Sequence, residues 1–496
     1  MDQIRLQNYR CFEDSGSISL KPITFLLGAN STGKSSFLKF FPLLKQSLSI
    51  KRKGTFLWYS TDVDFKDFKN TVKDEKGSIS IEFSFHLDNQ RFNRFYWEED
   101  ETIRGKKVLV NVEIKISGKG QTGNFDYLSE VKLSFLDQNI CINVNEDNTT
   151  LININGRNIE QDFKTYDINN AMQLIGRIVE KHDDHFFFGG PTSAYEYFLN
   201  LTRKNKKEED RRLFMIEHSF CLMDKTSTCE KLLKIGLNDN DVDLMNDMYL
   251  LLNVNHIIEE VNNYLYDYSC NVSYVQPLRV VAERYYRYQN YAIDEIESDG
   301  KNMAMYFANL KDSELIKFQN WTSRLFGFEV YVVPHEGHVE LQIAEGDKPQ
   351  RNLVDLGFGY TQLLPIITVI WNAVKKKNTK GFTKGRNSNV PITIAIEQPE
   401  LHLHPRLQMK FASMLVQVIK NEQYNNVKFL IETHSETIID KIGELVEEDP
   451  SLRDDVNVLL FNAIHEGMEK YVESVEYDQY GVLQKWPIGF FEEELC

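Results

Sequence analysis

The feature that most constrains the fold is the segment Gly28–Ser35, which reads GANSTGKS. It follows an apolar run, Ile23 to Leu27, and leads into a segment rich in phenylalanine, 36–41, which begins a helix predicted over Ser36–Ser49. The order is therefore strand, glycine-rich turn and helix, with the spacing of a phosphate-binding loop. Its glycines let successive backbone N–H groups face one anion. The segment predicts a site for a nucleoside triphosphate.

Each residue type in this loop has a chemical role. Lys34 supplies positive charge for the β- and γ-phosphates, and the hydroxyl of Ser35 is placed to bind Mg²⁺. The helix that begins near Lys34 adds the positive end of its dipole. The predicted ATP-binding residues of the loop are Asn30, Ser31, Thr32, Gly33, Lys34, Ser35 and Ser36.

Composition limits the class of protein. The chain has 496 residues and 42% hydrophobic content, enough for two or three domains with sizeable cores. Its formal net charge of −16 argues against a protein that coats nucleic acid. The first residues are charged, and no run of about 18 apolar residues occurs, so we expect a cytoplasmic protein with no membrane segment.

A second element of the nucleotide site is predicted near the other end of the chain. The β-branched run Ile392–Ile396 is typical of a buried parallel strand, and it ends in Glu397, the best candidate to hold Mg²⁺ together with Ser35. Another buried strand, Val427–Ile431, stops just before Glu432. Because the loop and Glu397 lie so far apart in sequence, we expect one nucleotide-binding sheet built from both ends of the chain.

These motifs, in this order, resemble an ABC-type ATPase head, and more closely stand-alone members of the RecF, SMC and OLD branch. Segment 8–12 resembles the N-terminal strand motif of that branch, and 356–365 resembles its variant signature motif. Segment 397–405, EQPELHLHP, resembles the Walker B motif and D-loop, and 433–435 resembles the switch histidine. The tail 486–491 looks like the C-terminal extension of one bacterial subgroup.

The resemblance implies an α/β fold of the ABC-type ATPase head: a mixed β sheet plus a parallel nucleotide-binding sheet with flanking helices. Between residues 166 and 270 the periodicity becomes helical, which predicts a mainly helical insertion. The predicted division is 1–160 for the N-terminal part of the head with the phosphate loop and a β-rich lobe, 161–325 for the insertion, and 326–496 for the C-terminal part.

The resemblance also implies a head-to-head homodimer, or a larger homo-oligomer, with two ATP molecules in the interface. Each ATP would be held by Lys34 and Ser35 of one protomer and by the signature segment of the other. The signature residues predicted to contact the nucleotide are Gly357, Gly359 and Gln362. The two glycines allow close backbone approach, and the following helix directs its dipole at the γ-phosphate.

The candidate catalytic residues are Glu397, Gln398, Glu400 and His434. Typical ABC heads carry a glutamate after the Walker B acid, and this chain has Gln398 there. An amide can orient water but cannot accept its proton. Either Glu400 or His434 substitutes for the missing base, or hydrolysis is slow and the ATP-bound state is the working state.

Three other groups allow more than one interpretation. The pair His402 and His404 resembles a zinc motif, but its place after the acidic strand favours a D-loop role. The segment His182–His185 lacks further ligands in register and favours surface polarity over a metal site. The segment 279–287 interleaves arginine with tyrosine, which suits a structural or nucleotide-side role, or base stacking.

For function, the resemblance implies an ATPase that acts as sensor or scaffold of a bacterial anti-phage system of the PARIS or Septu kind. Such a protein controls a separately encoded, nuclease-like effector and is triggered by DNA or a phage protein. The stretch after His434 is too short for the Toprim nuclease of OLD proteins.

Two alternatives remain. The first is a RecF-like or SMC-like DNA-binding ATPase of repair or chromosome maintenance, which would need a basic face from 375–386 or 279–287. The second is a self-sufficient nuclease that uses Asp183 and Asp184. Salt-sensitive binding of duplex DNA by the lone protein would favour the first alternative, and metal-dependent cleavage that is lost on changing Asp183 and Asp184 would favour the second.

Overall fold

The structure is a computed structural model. It describes residues 1–74, 77–89, 106–119, 125–166, 171–180, 191–202, 220–237, 239–289, 293, 295–379, 390–424, 426–462 and 472–486. His182–His185, the part of 375–386 beyond residue 379, and the tail from residue 487 onward lie outside these residues. None of the described helices combines the length and hydrophobicity needed to cross a lipid bilayer.

The chain divides into two compact units that each combine an N-terminal and a later segment. The first unit is Met1–Ser19 with Leu43–Cys270, and the second is Leu20–Pro42 with Asn271–Cys496. The predicted boundaries at residues 160 and 325 lie inside a strand and a helix. They also differ from the limits of these two units. The three-part domain division stays a prediction.

The helices, in chain order, are α1 (Lys34–Leu38), α2 (Phe40–Ser49), α3 (Phe68–Thr71), α4 (Thr192–Thr202), α5 (Lys225–Lys234), α6 (Val242–Cys270), α7 (Met303–Ala308), α8 (Asp312–Phe326), α9 (Phe358–Thr379), α10 (Pro405–Lys420) and α11 (Glu436–Glu448). Short 3₁₀ helices lie at Leu353–Leu356, Glu422–Tyr424 and Pro450–Arg453. The sequence predicted one helix over 36–49, but two helices form. Pro42 has no N–H to donate to the carbonyl of Leu38, so the hydrogen-bond ladder breaks there.

The first unit is built on an antiparallel sheet. Its described strands are β1 (Gln3–Tyr9), β2 (Phe12–Asp14), β3 (Ile18–Ser19), β5 (Ile79–Asp88), β6 (Lys107–Lys119), β7 (Phe125–Phe135), β8 (Gln138–Val144), β9 (Thr149–Ile154), β10 (Arg157–Tyr166) and β11 (Arg177–Glu180). Their order is β11-β10-β9-β8-β7-β6-β5-β1-β2, with β3 beside β1. Along β6 buried and exposed residues alternate, because successive side chains point to opposite faces.

The long helix α6 is fixed to the first unit by asparagines. The side chain of Asn262 accepts hydrogen bonds from the backbone N–H groups of Leu174 and Ile175 and donates to the Ile175 carbonyl. Two turns earlier on the same face of the helix, Asn255 accepts the backbone N–H of Ile178 in β11 and donates to its carbonyl. These amides satisfy backbone groups that the sheet itself leaves without partners.

The second unit contains the predicted nucleotide-binding sheet. Its strands are β4 (Ile23–Gly28), β12 (Val272–Val275), β17 (Ile392–Glu397), β18 (Val427–Glu432), β19 (Val456–Phe461) and β20 (Val472–Val475). The order is β12-β17-β18-β4-β19-β20, and all neighbours are parallel except β19 and β20. Strand β4 therefore lies between two strands from the C-terminal part, which confirms a sheet built from both ends of the chain.

A smaller antiparallel sheet completes the second unit. It consists of β13 (Tyr286–Arg287), β14 (Glu329–His335), β15 (His338–Ala344) and β16 (Arg351–Asn352). Antiparallel sheets together with a largely parallel sheet that is flanked by helices confirm the predicted α/β class. The sequence placed residues 272–275 within a helical insertion, but they form β12 and extend the parallel sheet.

Candidate functional site

The phosphate-binding loop is shaped by two glycines with positive φ. Gly28 has φ +149°, and a Cβ there would lie 2.3 Å from the backbone oxygen of Phe461 on neighbouring β19. Gly33 has φ +103° and directly precedes helix α1. Residues that carry a Cβ rarely adopt a positive φ, so both positions favour glycine. The loop geometry predicted from the sequence is present at the end of β4.

The predicted loop residues lie at different depths. Asn30 and Ser31 are exposed, while Thr32 is buried and its hydroxyl donates to the carbonyl of Ala29 at 2.9 Å. Lys34 is also buried, and its ammonium donates to the carbonyls of Gly28 and Ala29 at 2.9 and 2.6 Å. Burial lowers the pKa of Lys34. The loop thus combines an accessible rim with a buried positive charge.

Glu432 is the contact of Ser35 that the sequence did not predict. The Ser35 hydroxyl donates to Oε1 of Glu432 at 3.0 Å. Glu432 ends β18 and pairs in register with Glu397, which ends the neighbouring strand β17. The two carboxylates are therefore adjacent, and 4% and 3% of their residue surfaces are exposed. Sequence reasoning noted Glu432 only as the end of a strand.

Glu397 lies where the magnesium ligand was predicted, in a buried and partly positive environment. The phenol of Tyr274 donates to Oε1 of Glu397 at 2.8 Å, and the Lys39 ammonium lies 3.8 Å from the same oxygen. Burial raises the pKa of Glu397 to about 7, and the neighbouring Glu432 adds to the rise. Lys39 and Tyr274 oppose it. Tyr274 and Lys39 are neighbours of Glu397 that the sequence did not indicate.

Gln398, at the position where the resemblance implies a catalytic glutamate, has a strained backbone. Its φ is +43°, a left-handed value that is uncommon for a residue with a side chain. Its N–H donates to the carbonyl of Glu432 at 2.8 Å. Arg279 donates through Nη2 to the carbonyls of Glu397 and Gln398 at 3.0 and 3.2 Å. These bonds hold the turn that follows the acidic strand.

The three arginines between 279 and 287 have different roles. Arg279 is 5% exposed, and burial lowers its pKa to about 10. Arg284 forms a two-point contact with the carboxylate of Asp355, and Arg287 is exposed. The sequence left two possibilities open for this segment, a structural or nucleotide-side role and base stacking. The buried position of Arg279 favours the structural or nucleotide-side role.

Glu400 connects the Walker B segment to the end of β18. Its Oε2 accepts a hydrogen bond from the Thr433 hydroxyl at 2.7 Å, and Oε1 accepts from the backbone N–H of His434 at 2.8 Å. Burial raises the pKa of Glu400 and lowers that of half-buried His434. The geometry shows Glu400 positioning the His434 backbone. Its role as a base stays a prediction.

The segment that resembles the signature motif begins helix α9. Gly357 has φ +84° and is exposed, and the side chain of Phe358 is 60% exposed. Gly359 lies next to the carbonyl of His402, while Gln362 is 4% exposed. The two glycines are thus more accessible to a ligand than Gln362 is.

The paired histidines after the Walker B segment have separate surroundings. His404 caps helix α10 by accepting the backbone N–H of Arg406 at 3.2 Å, and the ring of His402 lies 5.9 Å from that of Phe358. Within the described ranges, no cluster of three or more histidine, cysteine or acidic residues has the arrangement of a metal site. His404 is therefore accounted for as a helix cap.

The family model described as "AAA ATPase domain" matches residues 1–439. The match covers most of the chain, so the chain belongs to this family and is an ATPase. No curated protein matches it.

Solved structures with some similarity include SMC heads. One is the Smc head domain with an extended coiled coil, bound to the C-terminal domain of ScpA, from Pyrococcus furiosus: 8% identity, 96% of each chain covered, TM-score 0.35. Another is the SMC head domain of Thermotoga maritima: 11% identity, 96% of this chain and 98% of that chain covered, TM-score 0.34. The recombination mediator protein RecF of the RecFOR pathway matches with 10% identity, 95% and 97% coverage and a TM-score of 0.27. The family assignment rests on the family model alone.

Proposed function

We propose that the chain binds ATP with Mg²⁺ at the end of β4 and hydrolyses it slowly, as an ABC-type ATPase of the RecF and SMC branch. The observation that carries this proposal is the meeting of the phosphate loop with two buried acids, Glu397 and Glu432, from distant segments. Lys34 and the loop N–H groups suit a polyphosphate, and Ser35 with Glu397 suits a magnesium ion.

The chemistry of the donor set supports a magnesium-bound nucleotide. Among the described residues, Oε2 of Glu432 is buried without a hydrogen-bond partner, and a buried acceptor left unpaired is costly. A cation with its water shell supplies what such an oxygen lacks. A bound Mg²⁺ would supply positive charge that neutralises the phosphates. Lys34 would hold the β- and γ-phosphates, and Ser35 and Glu397 the ion.

Slow hydrolysis follows from Gln398 and the contacts of Glu400. The amide of Gln398 can orient water but cannot take its proton. Both oxygens of Glu400 already accept hydrogen bonds, so its contribution is to fix His434, whose ring then orients the attacking water. We expect turnover below about 10 per second in the isolated protein, and a faster rate would contradict the proposal.

The working form in this proposal is a homodimer or larger homo-oligomer closed by ATP. Its support is the exposed start of helix α9, where Gly357 allows close backbone approach. Size measurement with and without ATP and Mg²⁺ tests it, with Lys34→Ala as control. We expect the wild type to shift to a larger species with ATP and Lys34→Ala to keep its size. The same size for both proteins in all conditions would contradict it.

In this proposal the ATP-closed state controls a separate, nuclease-like effector of an anti-phage system, with DNA or a phage protein as trigger. The motif resemblance supports this role. The alternative is a DNA-binding ATPase of the RecF or SMC kind, which would need a basic face from 375–386 or 279–287. Of the basic residues that could form such a face, Arg279 is buried, and Lys375 contacts Glu314 at 2.8 Å. Salt-sensitive binding of duplex DNA by the lone protein would favour the alternative.

A further inference from the structure

Glu432 lies at the centre of the second unit's parallel sheet. It is the last residue of β18, pairs with Glu397 of β17 on one side and pairs with Leu26 of β4 on the other. The strand that carries the phosphate loop and the strand that carries the predicted magnesium ligand thus flank it directly. This position brings Glu432 next to both halves of the proposed site.

The two carboxylate oxygens of Glu432 have different surroundings. Oε1 accepts the hydroxyl hydrogen of Ser35 at 3.0 Å, while Oε2 is buried and has no hydrogen-bond partner among the described residues. The positive charges of Lys34 and Lys39 act on this carboxylate. An unpaired carboxylate oxygen in a buried position is costly unless a further donor or cation meets it.

The hydrogen bond from Ser35 also determines what the Ser35 oxygen can do. A hydroxyl has one hydrogen and two acceptor lone pairs. Because its hydrogen points to Glu432, the lone pairs of Ser35 Oγ remain available to a cation. Partners of this kind orient the ligands of many metal sites.

We propose that Glu432 is a second acidic residue of the magnesium–nucleotide site, which orients the Ser35 hydroxyl and accepts a hydrogen bond from a water of the Mg²⁺ shell. This inference rests on the proposed function of ATP and Mg²⁺ binding. Glu432 is a positioning residue, because it acts through Ser35 and water. Mg²⁺ commonly keeps several waters in protein sites, which leaves room for such a partner.

The competing explanation is that Glu432 only fastens helix α1 to β18. Glu432→Gln separates the two, because the glutamine oxygen still accepts the Ser35 hydrogen while the negative charge is lost. A purely structural role survives this change, and a role toward the metal does not. Glu436→Gln is the matched control, since Glu436 is exposed in the first turn of the next helix.

The test is calorimetric titration of the full chain with ATP, once with Mg²⁺ and once with EDTA, together with Mn²⁺ binding in the presence of ADP followed by electron paramagnetic resonance. We expect Glu432→Gln to lower Mn²⁺ affinity about 10- to 100-fold and to lose most of the Mg²⁺-dependent gain in ATP affinity. ATP affinity in EDTA should stay within about twofold of wild type. Glu436→Gln should behave as wild type.

The outcomes separate this inference from the proposed function. A wild type that binds no ATP would overturn the function itself. A Glu432→Gln variant that keeps wild-type Mn²⁺ affinity would overturn the inference and leave the function standing. If Glu432→Gln does not fold, Glu432→Asp takes its place, because it keeps the charge but withdraws the carboxylate by one methylene. We expect a several-fold loss of Mn²⁺ affinity there, and an unchanged affinity would overturn the inference.

Discussion

The two compact units differ in the sequence distance between neighbouring strands. From β5 to β11 in the first unit, each strand pairs with the next one along the chain. In the second unit, β4 near the N-terminus pairs with β18 and β19 near the other end. The first sheet therefore forms mainly from local contacts, while the proposed nucleotide site is assembled only when distant segments meet. Substitutions that break long-range contacts should affect the site most.

The largest effect is expected at Gly28, where the loop meets β19. In Gly28→Ala the new Cβ would lie 2.3 Å from the Phe461 oxygen, at a φ that alanine disfavours. We expect a loss of about 2–4 kcal/mol in stability and of ATP binding. Gly156→Ala, at a hairpin turn of the first unit with no atom within 4 Å of the new Cβ, is the control. It should cost about 1 kcal/mol. Thermal unfolding and ATP titration compare them, and equal losses would contradict the account.

The next effect is expected at Arg279, whose guanidinium holds the carbonyls of Glu397 and Gln398. Arg279→Ala removes this donor from both carbonyls, while the Gln398 carbonyl keeps the N–H of Leu401 at 3.3 Å. We expect a loss of about 2–3 kcal/mol in the free energy of unfolding and weaker ATP binding. Arg287→Ala, on an exposed neighbour, should stay within about 0.5 kcal/mol of wild type. Urea unfolding measures both. If Arg279→Ala has the same free energy of unfolding as the wild type, the turn after β17 does not depend on Arg279.

Buried acids in the two units give a pH test. Burial raises the pKa of Glu397 to about 7 in the second unit and that of Asp126 to about 6 in the first. Each folded carboxyl keeps its proton to higher pH than the unfolded one does. The protonated form therefore favours folding at low pH, and this stability is lost as pH rises through the folded pKa.

We expect the stability of the wild type to fall by about 2–3 kcal/mol through the Glu397 titration. Glu397→Gln should remove a fall that spans about pH 4.5 to 7 and therefore continues above pH 6. Asp126→Asn should remove a fall between about pH 4 and 6. Urea unfolding at pH 4, 6 and 8 distinguishes them. If wild type and Glu397→Gln have parallel pH profiles, the raised pKa of Glu397 is contradicted.

The smallest effects are expected at helix caps. Ser435 accepts the N–H of Ile438 at the start of α11, and Asp224 accepts that of Ser227 at the start of α5. Replacing either residue with alanine should cost about 1 kcal/mol. Ser435→Ala should also weaken ATP binding slightly, because Ser435 follows His434 directly. Thermal unfolding measures the first effect and ATP titration the second. Unchanged stability in both variants would show that water replaces the caps.

Local patterns were enough to predict the phosphate loop and the strand that ends in Glu397, but not the partners of these elements. The loop Gly28–Ser35 was predicted because its residue types act within one turn, and the strand ending in Glu397 because its β-branched run is typical of a buried strand. The partner of Ser35 was not predicted, because it depends on the register of β17 and β18, which is set by long-range pairing. A signal was nevertheless present, since a second buried strand also ends in a glutamate, Glu432.

The remaining differences have similar physical causes. Arg279 is charged and lies in a tyrosine-rich segment, and only the position of β17 makes it a buried donor to backbone carbonyls. Residues 272–275 are too few for a clear period, so their place beside β17 was hidden until the sheet was known. The break at Lys39 between α1 and α2, by contrast, could have been predicted from Pro42 alone.

The central claim is that Lys34, Ser35 and the two strand-end glutamates form one site for ATP and Mg²⁺. Isothermal titration of the full chain with ATP in Mg²⁺ tests it most directly, against Lys34→Ala. The account predicts one ATP per chain for the wild type and no measurable binding for Lys34→Ala. Equal ATP binding by both proteins would contradict it.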